Sequence, residues 1–133
     1  MRSFDYTHTV LFEETNLLGN VYFVNHLRWQ GQCREMFLKR YAPTVLDDLE
    51  KGLALVTTRC SCDYFEELKA FDEVTIRMML REIGQSRLTL GFEYHSKGVV
   101  VATGFQQIAC MRKENDRMQA APVPLALRES LNL

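Results

Sequence analysis

The spacing of apolar residues changes period across a short polar turn near the N-terminus, and that change leaves few folds open to the chain. Phe4, Tyr6, His8, Val10 and Phe12 alternate with Asp5, Thr7, Thr9, Leu11 and Glu13, the period-two pattern of a half-buried strand. After Gly19-Asn20 the period lengthens. Val24, Leu27, Gly31, Arg34, Leu38 and Tyr41 fall on one stripe at helical spacing. Asn20 is a good N-cap type, and Pro43 stops the run. The sequence thus predicts a helix from about Asn20 to Tyr41. A glycine such as Gly31 inside a helix costs about 1 kcal/mol relative to alanine, which points to close approach of this helix to a sheet.

From Leu53 onward the pattern is all strand. One strand is predicted from Leu53 to about Phe65. A second carries Val74, Ile76, Met78 and Leu80 on one face, a third Leu88, Leu90, Phe92 and Tyr94, and a fourth runs from Val99 to about Met111. Gly84 and Gly98 fall at turns, where positive φ is useful. The connections are short enough to make the last three strands antiparallel neighbours. Residues from about Pro43 to Gly52 read as a short helix or loop. One long helix laid on an antiparallel sheet of about five strands is an α+β domain. The 133 residues read as a single domain, with residues 113–133 as a loosely attached tail and one helical turn after Pro124.

Composition removes several function classes. Lys and Arg total 16 against 17 Asp and Glu, a net charge of −1, without the basic excess of a nucleic-acid binder. No apolar run is long enough to span a bilayer, and the N-terminus lacks a signal-peptide core, so a cytoplasmic protein is expected with no membrane partner. Cys33, Cys60, Cys62 and Cys110 form no Cys-x-x-Cys pair and read as buried free thiols. His8, His26 and His95 have no zinc spacing.

Two segments carry a resemblance. The first is Phe12-Glu13-Glu14-Thr15-Asn16-Leu17-Leu18-Gly19-Asn20-Val21-Tyr22-Phe23-Val24-Asn25-His26-Leu27-Arg28-Trp29. The second is Tyr64-Phe65-Glu66-Glu67-Leu68-Lys69-Ala70-Phe71-Asp72-Glu73-Val74, similar to a Tyr-x-x-Pro…Asp-x-Val segment with Glu67 in place of the proline. Together they resemble hotdog-fold thioesterases of the 4-hydroxybenzoyl-CoA thioesterase type, over about residues 4 to 112. The resemblance implies a long central helix wrapped by the sheet, sites between subunits, a dimer or a dimer of dimers, and no metal or organic cofactor. The family's catalytic carboxylate falls on Asn16. A histidine and a tyrosine of one bacterial acyl-CoA branch fall on Phe23 and Phe12. The thioesterases of enediyne polyketide biosynthesis share the asparagine and a run similar to Leu27-Arg28-Trp29-Gln30-Gly31-Gln32-Cys33-Arg34-Glu35-Met36-Phe37. In them the asparagine and a helix arginine, here Asn16 and Arg34, are taken as the catalytic pair. A helix tyrosine of that subgroup falls on His26.

These likenesses define the expected site. An amide at position 16 cannot serve as a general base at neutral pH, but it can donate to a carbonyl and accept from a water. Read as a turn residue alone, Asn16 instead bonds its own backbone. Arg34 lies on the apolar stripe, where a guanidinium is costly unless paired. It either pairs with Glu13, Glu14 or Glu35, or clamps substrate oxygens. The resemblance implies that the Phe23 backbone N–H polarises the thioester carbonyl, a kind of donor that contributes about 3–4 kcal/mol in acyl transfer. Asn20 could cap that same N–H. Phe12, Gly19, Tyr22 and His26 are expected at the substrate, with His26 otherwise a surface or packing residue. Phe12, Tyr22, Phe23, Trp29, Met36 and Phe37 read as core or as walls of a tunnel for a polyene. Strand alternation would send Glu13 and Glu14 to opposite faces.

The expected reaction is hydrolysis of a linear polyene β-ketoacyl chain from the acyl carrier protein domain of an iterative enediyne polyketide synthase, followed by decarboxylation to a methyl ketone. An acyl-CoA thioesterase of general metabolism and a non-catalytic acyl-binding protein are the other readings.

Overall fold

The long helix predicted from the first period change starts four residues late, and the reason lies in the sheet. A computed structural model describes residues 2–132. The first strand, β1 (Ser3–Thr9), ends before Phe12. Val10 leaves the strand and is fully buried, with its N–H on the Asp72 carbonyl and its own carbonyl accepting from Phe71. A 3-10 turn follows over Phe12–Glu14. Asn20 and Val21 are then held in single β-bridges with Lys69 and Thr15. Residues so bonded cannot also begin a helix, so α1 runs Val24–Tyr41 and Asn20 is not its cap. The next helix, α2 (Pro43–Glu50), has Pro43 in its first turn, where the missing N–H is no loss.

Four long strands follow in antiparallel order: β2 (Leu53–Tyr64), β3 (Glu73–Ile83), β4 (Arg87–Ser96) and β5 (Val99–Glu114). The sheet order is β1-β3-β4-β5-β2, so β2 is an edge strand twelve residues long. Gly98 makes the tight β4–β5 turn with φ +78°, whereas Gly84, expected to do the same, has an ordinary backbone. The sheet wraps α1, and the core lies between them. Val74, Ile76, Met78, Leu88, Leu90, Phe92 and Tyr94 face Trp29, Cys33 and Phe37. Full burial of each large side chain is worth about 1.5–3 kcal/mol. This is the hotdog arrangement that the resemblance implied.

The buried residues of α1 are Asn25, His26, Trp29, Gln30, Cys33 and Phe37, with Leu38 at the border. The buried face is rotated by about one residue from the expected stripe, because the polar Asn25, His26 and Gln30 stand inside it and disguise it. Gly31 meets nothing within 4 Å of where a Cβ would stand. The close approach is at Gly104 of β5, where a Cβ would collide with the Ser61 carbonyl and the Gln30 amide. Gln30 donates to that same carbonyl at 2.9 Å. The helix therefore reaches the sheet through a glycine of the sheet and a glutamine of its own.

The C-terminal segment is not loose. β6 (Arg117–Ala120) pairs with the end of β5, making six strands, and α3 covers Leu125–Leu131. Leu127 and Leu131 are buried, the Ser130 hydroxyl donates to the Tyr41 carbonyl at 2.8 Å, and Arg128 donates to the Gly84 carbonyl at 2.7 Å. The four cysteines are free thiols, but Cys60 is exposed on the outer edge of β2, contrary to the expected burial. No described helix is long and apolar enough to cross a membrane.

Candidate active site

The turn that carries Asn16 is fixed from below by Glu14. The Glu14 carboxylate accepts from the Leu11 N–H at 2.8 Å, from Trp29 Nε1 at 2.9 Å and lies 2.8 Å from His8 Nε2. Burial alone would push its carboxyl up, but the Leu11, His8 and Trp29 donors outweigh that and hold it below its ordinary value. The Glu14 carbonyl is engaged as well, by the Tyr22 N–H at 2.9 Å and Asn25 Nδ2 at 2.8 Å. Glu14 is thus an anchor and not a spare base. Strand alternation, on which Glu13 and Glu14 were placed, does not apply to a 3-10 turn.

Beyond that anchor the chain reverses. Asn16 N–H donates to the Asn20 carbonyl at 2.9 Å, and Gly19, at φ +90°, returns its N–H to the Asn16 carbonyl at 3.0 Å. Asn16 Oδ1 accepts from the Leu18 N–H at 2.9 Å. The turn role and the chemical role divide the side chain between them. The oxygen shapes the turn, and Nδ2, which has no acceptor among the described residues, remains free to donate. Asn16, Phe12, Gly19 and Tyr22 line one groove of about 820 Å³, together with Glu13, Thr15, Leu17, Asn25, Arg28 and Ala70. Phe12 and Tyr22 are exposed, as are Phe23 and Met36, while Trp29 and Phe37 are core.

Phe23 is the cap residue of α1. It has helical dihedrals and no side-chain cap, and its N–H has no acceptor among the described residues. Asn20 does not compete for it. A free N–H at the positive end of an eighteen-residue helix suits a developing oxyanion. Sequence reasoning placed no role on Tyr64, whose hydroxyl donates to the Phe23 carbonyl at 2.7 Å. The residue stood in the quoted Tyr-x-x-Pro-like segment, but nothing in the spacing says that two segments so distant in sequence meet.

His26 and Arg34 lie elsewhere. His26 is 3% exposed, boxed by the rings of Trp29, Tyr64 and Tyr94 at centroid distances of 5.0, 4.8 and 5.4 Å. Neither ring nitrogen has a partner, and burial pulls its pKa down to about 4. It faces neither solvent nor the groove. Arg34 is half-buried about 15 Å along the helix axis from Val24 at 1.5 Å per residue. Its Nη1 donates to Gln106 Oε1 at 3.1 Å and Thr57 Oγ1 at 3.2 Å, and its Nε is buried without a partner. No carboxylate lies in ion-pair range of it among the described residues, so the expected pairing with Glu13, Glu14 or Glu35 is absent. Burial pulls the guanidinium below its ordinary value, with Glu35 acting in the opposite sense. Arg34 caps a narrow apolar cavity of about 10 Å³ lined by Phe37, Leu55, Met78, Leu90, Leu127 and others. One chain therefore does not bring Arg34 into the groove of Asn16.

A family model described as the thioesterase-like superfamily matches residues 10–131. The chain belongs to that superfamily and is a thioester hydrolase with the hotdog fold. It superposes on dynemicin thioesterase, whose crystal structures reveal induced-fit and allosteric effects upon polyene binding, with a TM-score of 0.94 and 44% identity over 98% of this chain and 96% of that one. A mutant 4-hydroxybenzoyl CoA thioesterase complexed with 4-hydroxybenzoyl CoA shares the fold, with a TM-score of 0.87 at 17% identity over 98% and 99%. In sequence the chain is 27% identical over 103 residues to 1,4-dihydroxy-2-naphthoyl-CoA hydrolase of Prochlorococcus marinus (strain NATL1A), covering 71% of this chain and 69% of that protein.

Proposed function

We propose that this thioester hydrolase releases a linear polyene β-ketoacyl chain from the acyl carrier protein domain of an iterative enediyne polyketide synthase. The observation that carries this reading is the 44% identity, over nearly the whole chain, to a thioesterase whose structures describe polyene binding. The site is consistent with it, since Asn16 offers an amide where the wider family has an acid. Water adds to the thioester carbonyl, polarised by the Phe23 N–H and by Asn16 Nδ2. The C–O bond forms, the C–S bond breaks, and the carrier leaves as a thiol on taking up the proton. Arg34, with no carboxylate to neutralise it, holds the β-keto or carboxylate oxygens. The β-keto acid then loses CO2 to give the methyl ketone. A dimer, or a dimer of dimers, completes a site whose parts stand apart in one chain. A second reading, hydrolysis of an acyl-CoA of general metabolism, is favoured by the 1,4-dihydroxy-2-naphthoyl-CoA hydrolases among the relatives.

Mass spectrometry of a polyene-loaded carrier protein, with and without the enzyme, tests the proposal. Loss of the acyl group and appearance of the methyl ketone are expected. Asn16→Ala should slow single-turnover release at least about tenfold, or about 1.4 kcal/mol of transition-state stabilisation. Arg34→Lys should fold normally and lose most activity, because lysine lacks the planar fork. An intact acyl-carrier in the presence of active enzyme, with rapid hydrolysis of an aromatic acyl-CoA, would favour the second reading.

A further inference from the structure

Tyr64 ends β2 and lies forty-one residues from Phe23 in sequence, yet its hydroxyl stands 2.7 Å from the Phe23 carbonyl oxygen and donates to it. That carbonyl belongs to the cap residue, so it also receives the first bond of α1. The peptide joining Phe23 to Val24 is therefore gripped twice at its oxygen. A peptide unit is rigid and planar, so holding the oxygen also aims the Val24 N–H on its other edge. The preceding peptide, which carries the Phe23 N–H, is held through the Tyr22 carbonyl by the Asn25 N–H at 2.9 Å. Neither the Phe23 nor the Val24 N–H has an acceptor among the described residues. The two free donors are thus set by different means, one by a bond within the turn and one by a side chain from the sheet. The Tyr64 ring is itself braced by a T-shaped contact with the His26 ring, centroids 4.8 Å apart and planes at 77°.

We propose that Tyr64 is a positioning residue for thioester hydrolysis, fixing the first peptide of α1 so that the Val24 N–H faces the substrate carbonyl oxygen beside the Phe23 N–H. The inference rests on the reading of the helix N-terminus as the element that polarises the thioester. No side chain caps α1, and Phe23 itself is exposed, so without this bond the first peptide would be held by the frayed end of the helix alone. The phenol adds a second effect. A hydrogen bond accepted at the Phe23 oxygen polarises that peptide and strengthens its N–H as a donor.

Tyr64→Phe removes one oxygen from a side chain that is 43% exposed and leaves the ring in place. Two readouts are needed, both on the assembled protein. The first is steady-state hydrolysis of the polyene-loaded carrier protein, with octanoyl-CoA in its place if the carrier is not a substrate. The expected result is a fall in kcat of about tenfold with KM within about twofold, as for an interaction made in the transition state alone. The second is the amide ¹H–¹⁵N spectrum without substrate, in which the Val24 and Phe23 signals should move while core amides such as those of Phe92 and Tyr94 do not. Shifted amides with unchanged kcat would overturn the proposal and confine the catalytic reading of the helix N-terminus to the Phe23 N–H. A lower kcat with unmoved amides would overturn the proposal and leave that reading standing. A rise in KM alone would make Tyr64 a substrate contact and overturn it too.

Discussion

Glu14 and His26 show how much a single residue's meaning depends on its surroundings. In sequence Glu14 is one of two adjacent acids beside Asn16. In the fold it is the anchor under the Asn16 turn, held by Leu11, His8 and Trp29. His26 stands where a tyrosine is found in similar proteins, and it is buried among aromatic rings with both nitrogens unpaired. Its pKa of about 4, against an ordinary 6.5, makes stability depend on pH. Above about pH 6.5 the imidazole is neutral in both states and has no pH-dependent effect. Below it the unfolded chain takes up a proton that the folded chain refuses until about pH 4, so stability falls through that window and the slope from this residue ends below it. The full difference is roughly 3 kcal/mol at 1.36 kcal/mol per unit. His26→Phe should flatten this part of the acid limb in urea unfolding followed between pH 7 and pH 4. An unchanged limb would mean that His26 is solvated or paired in solution.

At the scale of elements, α3 is the segment whose importance was least visible. Leu131 is the last residue of α3 and Leu127 lies one turn before it, and they fill the space beside Phe37, Leu55 and Arg34. Leu127→Ala removes three buried carbons with little room for collapse, and is expected to cost about 2–5 kcal/mol, measurable as a lower urea midpoint at unchanged slope. A loosely attached tail would give a change within about 0.5 kcal/mol. The same substitution enlarges the cavity capped by Arg34, so a change in acyl-chain preference should accompany the loss of stability. The start of α1 teaches the complementary lesson. Asn20 has the chemistry of a cap, yet its backbone is paired opposite Lys69, with the Val21 N–H on the Leu68 carbonyl, and a strand-like bridge of that kind outweighs a local capping preference of about 1 kcal/mol.

For the whole molecule, the proposed assembly has a candidate surface around the groove. Leu17 and Leu18 are fully exposed, Phe12 and Phe71 nearly so, and Tyr22, Phe23 and Phe65 half so. An apolar surface of this kind marks an interaction site, and β2 leaves a twelve-residue edge unpaired, a ready template for another strand. Light scattering at micromolar concentration should give two or four times the 15.5 kDa chain mass. A monomeric mass would leave Asn16 and Arg34 without a common site and remove Arg34 from the proposed mechanism.

By itself the sequence determined the main elements up to about residue 112 and their order. Apolar period reports which residues leave water together, and that is a local property of strands and helices. It was enough for one long helix, five strands and an antiparallel sheet, and the quoted motifs added the fold family and the Asn16 turn. The buried face of α1 was misplaced because His26 and Gln30 belong to it, and a polar residue looks exposed in a periodicity count even where aromatic rings or a distant partner enclose it. Gln30 Nε2 donates to the Ser61 carbonyl, Glu14 accepts from Trp29 and Leu11, and the Phe23 carbonyl accepts from Tyr64. Most of these partners lie far along the chain, and the hydrogen bonds that join them carry no local signature. Tertiary structure alone decided which amide, carboxylate and N–H groups remained free for chemistry, because a polar group is available only when folding has not already supplied its partner.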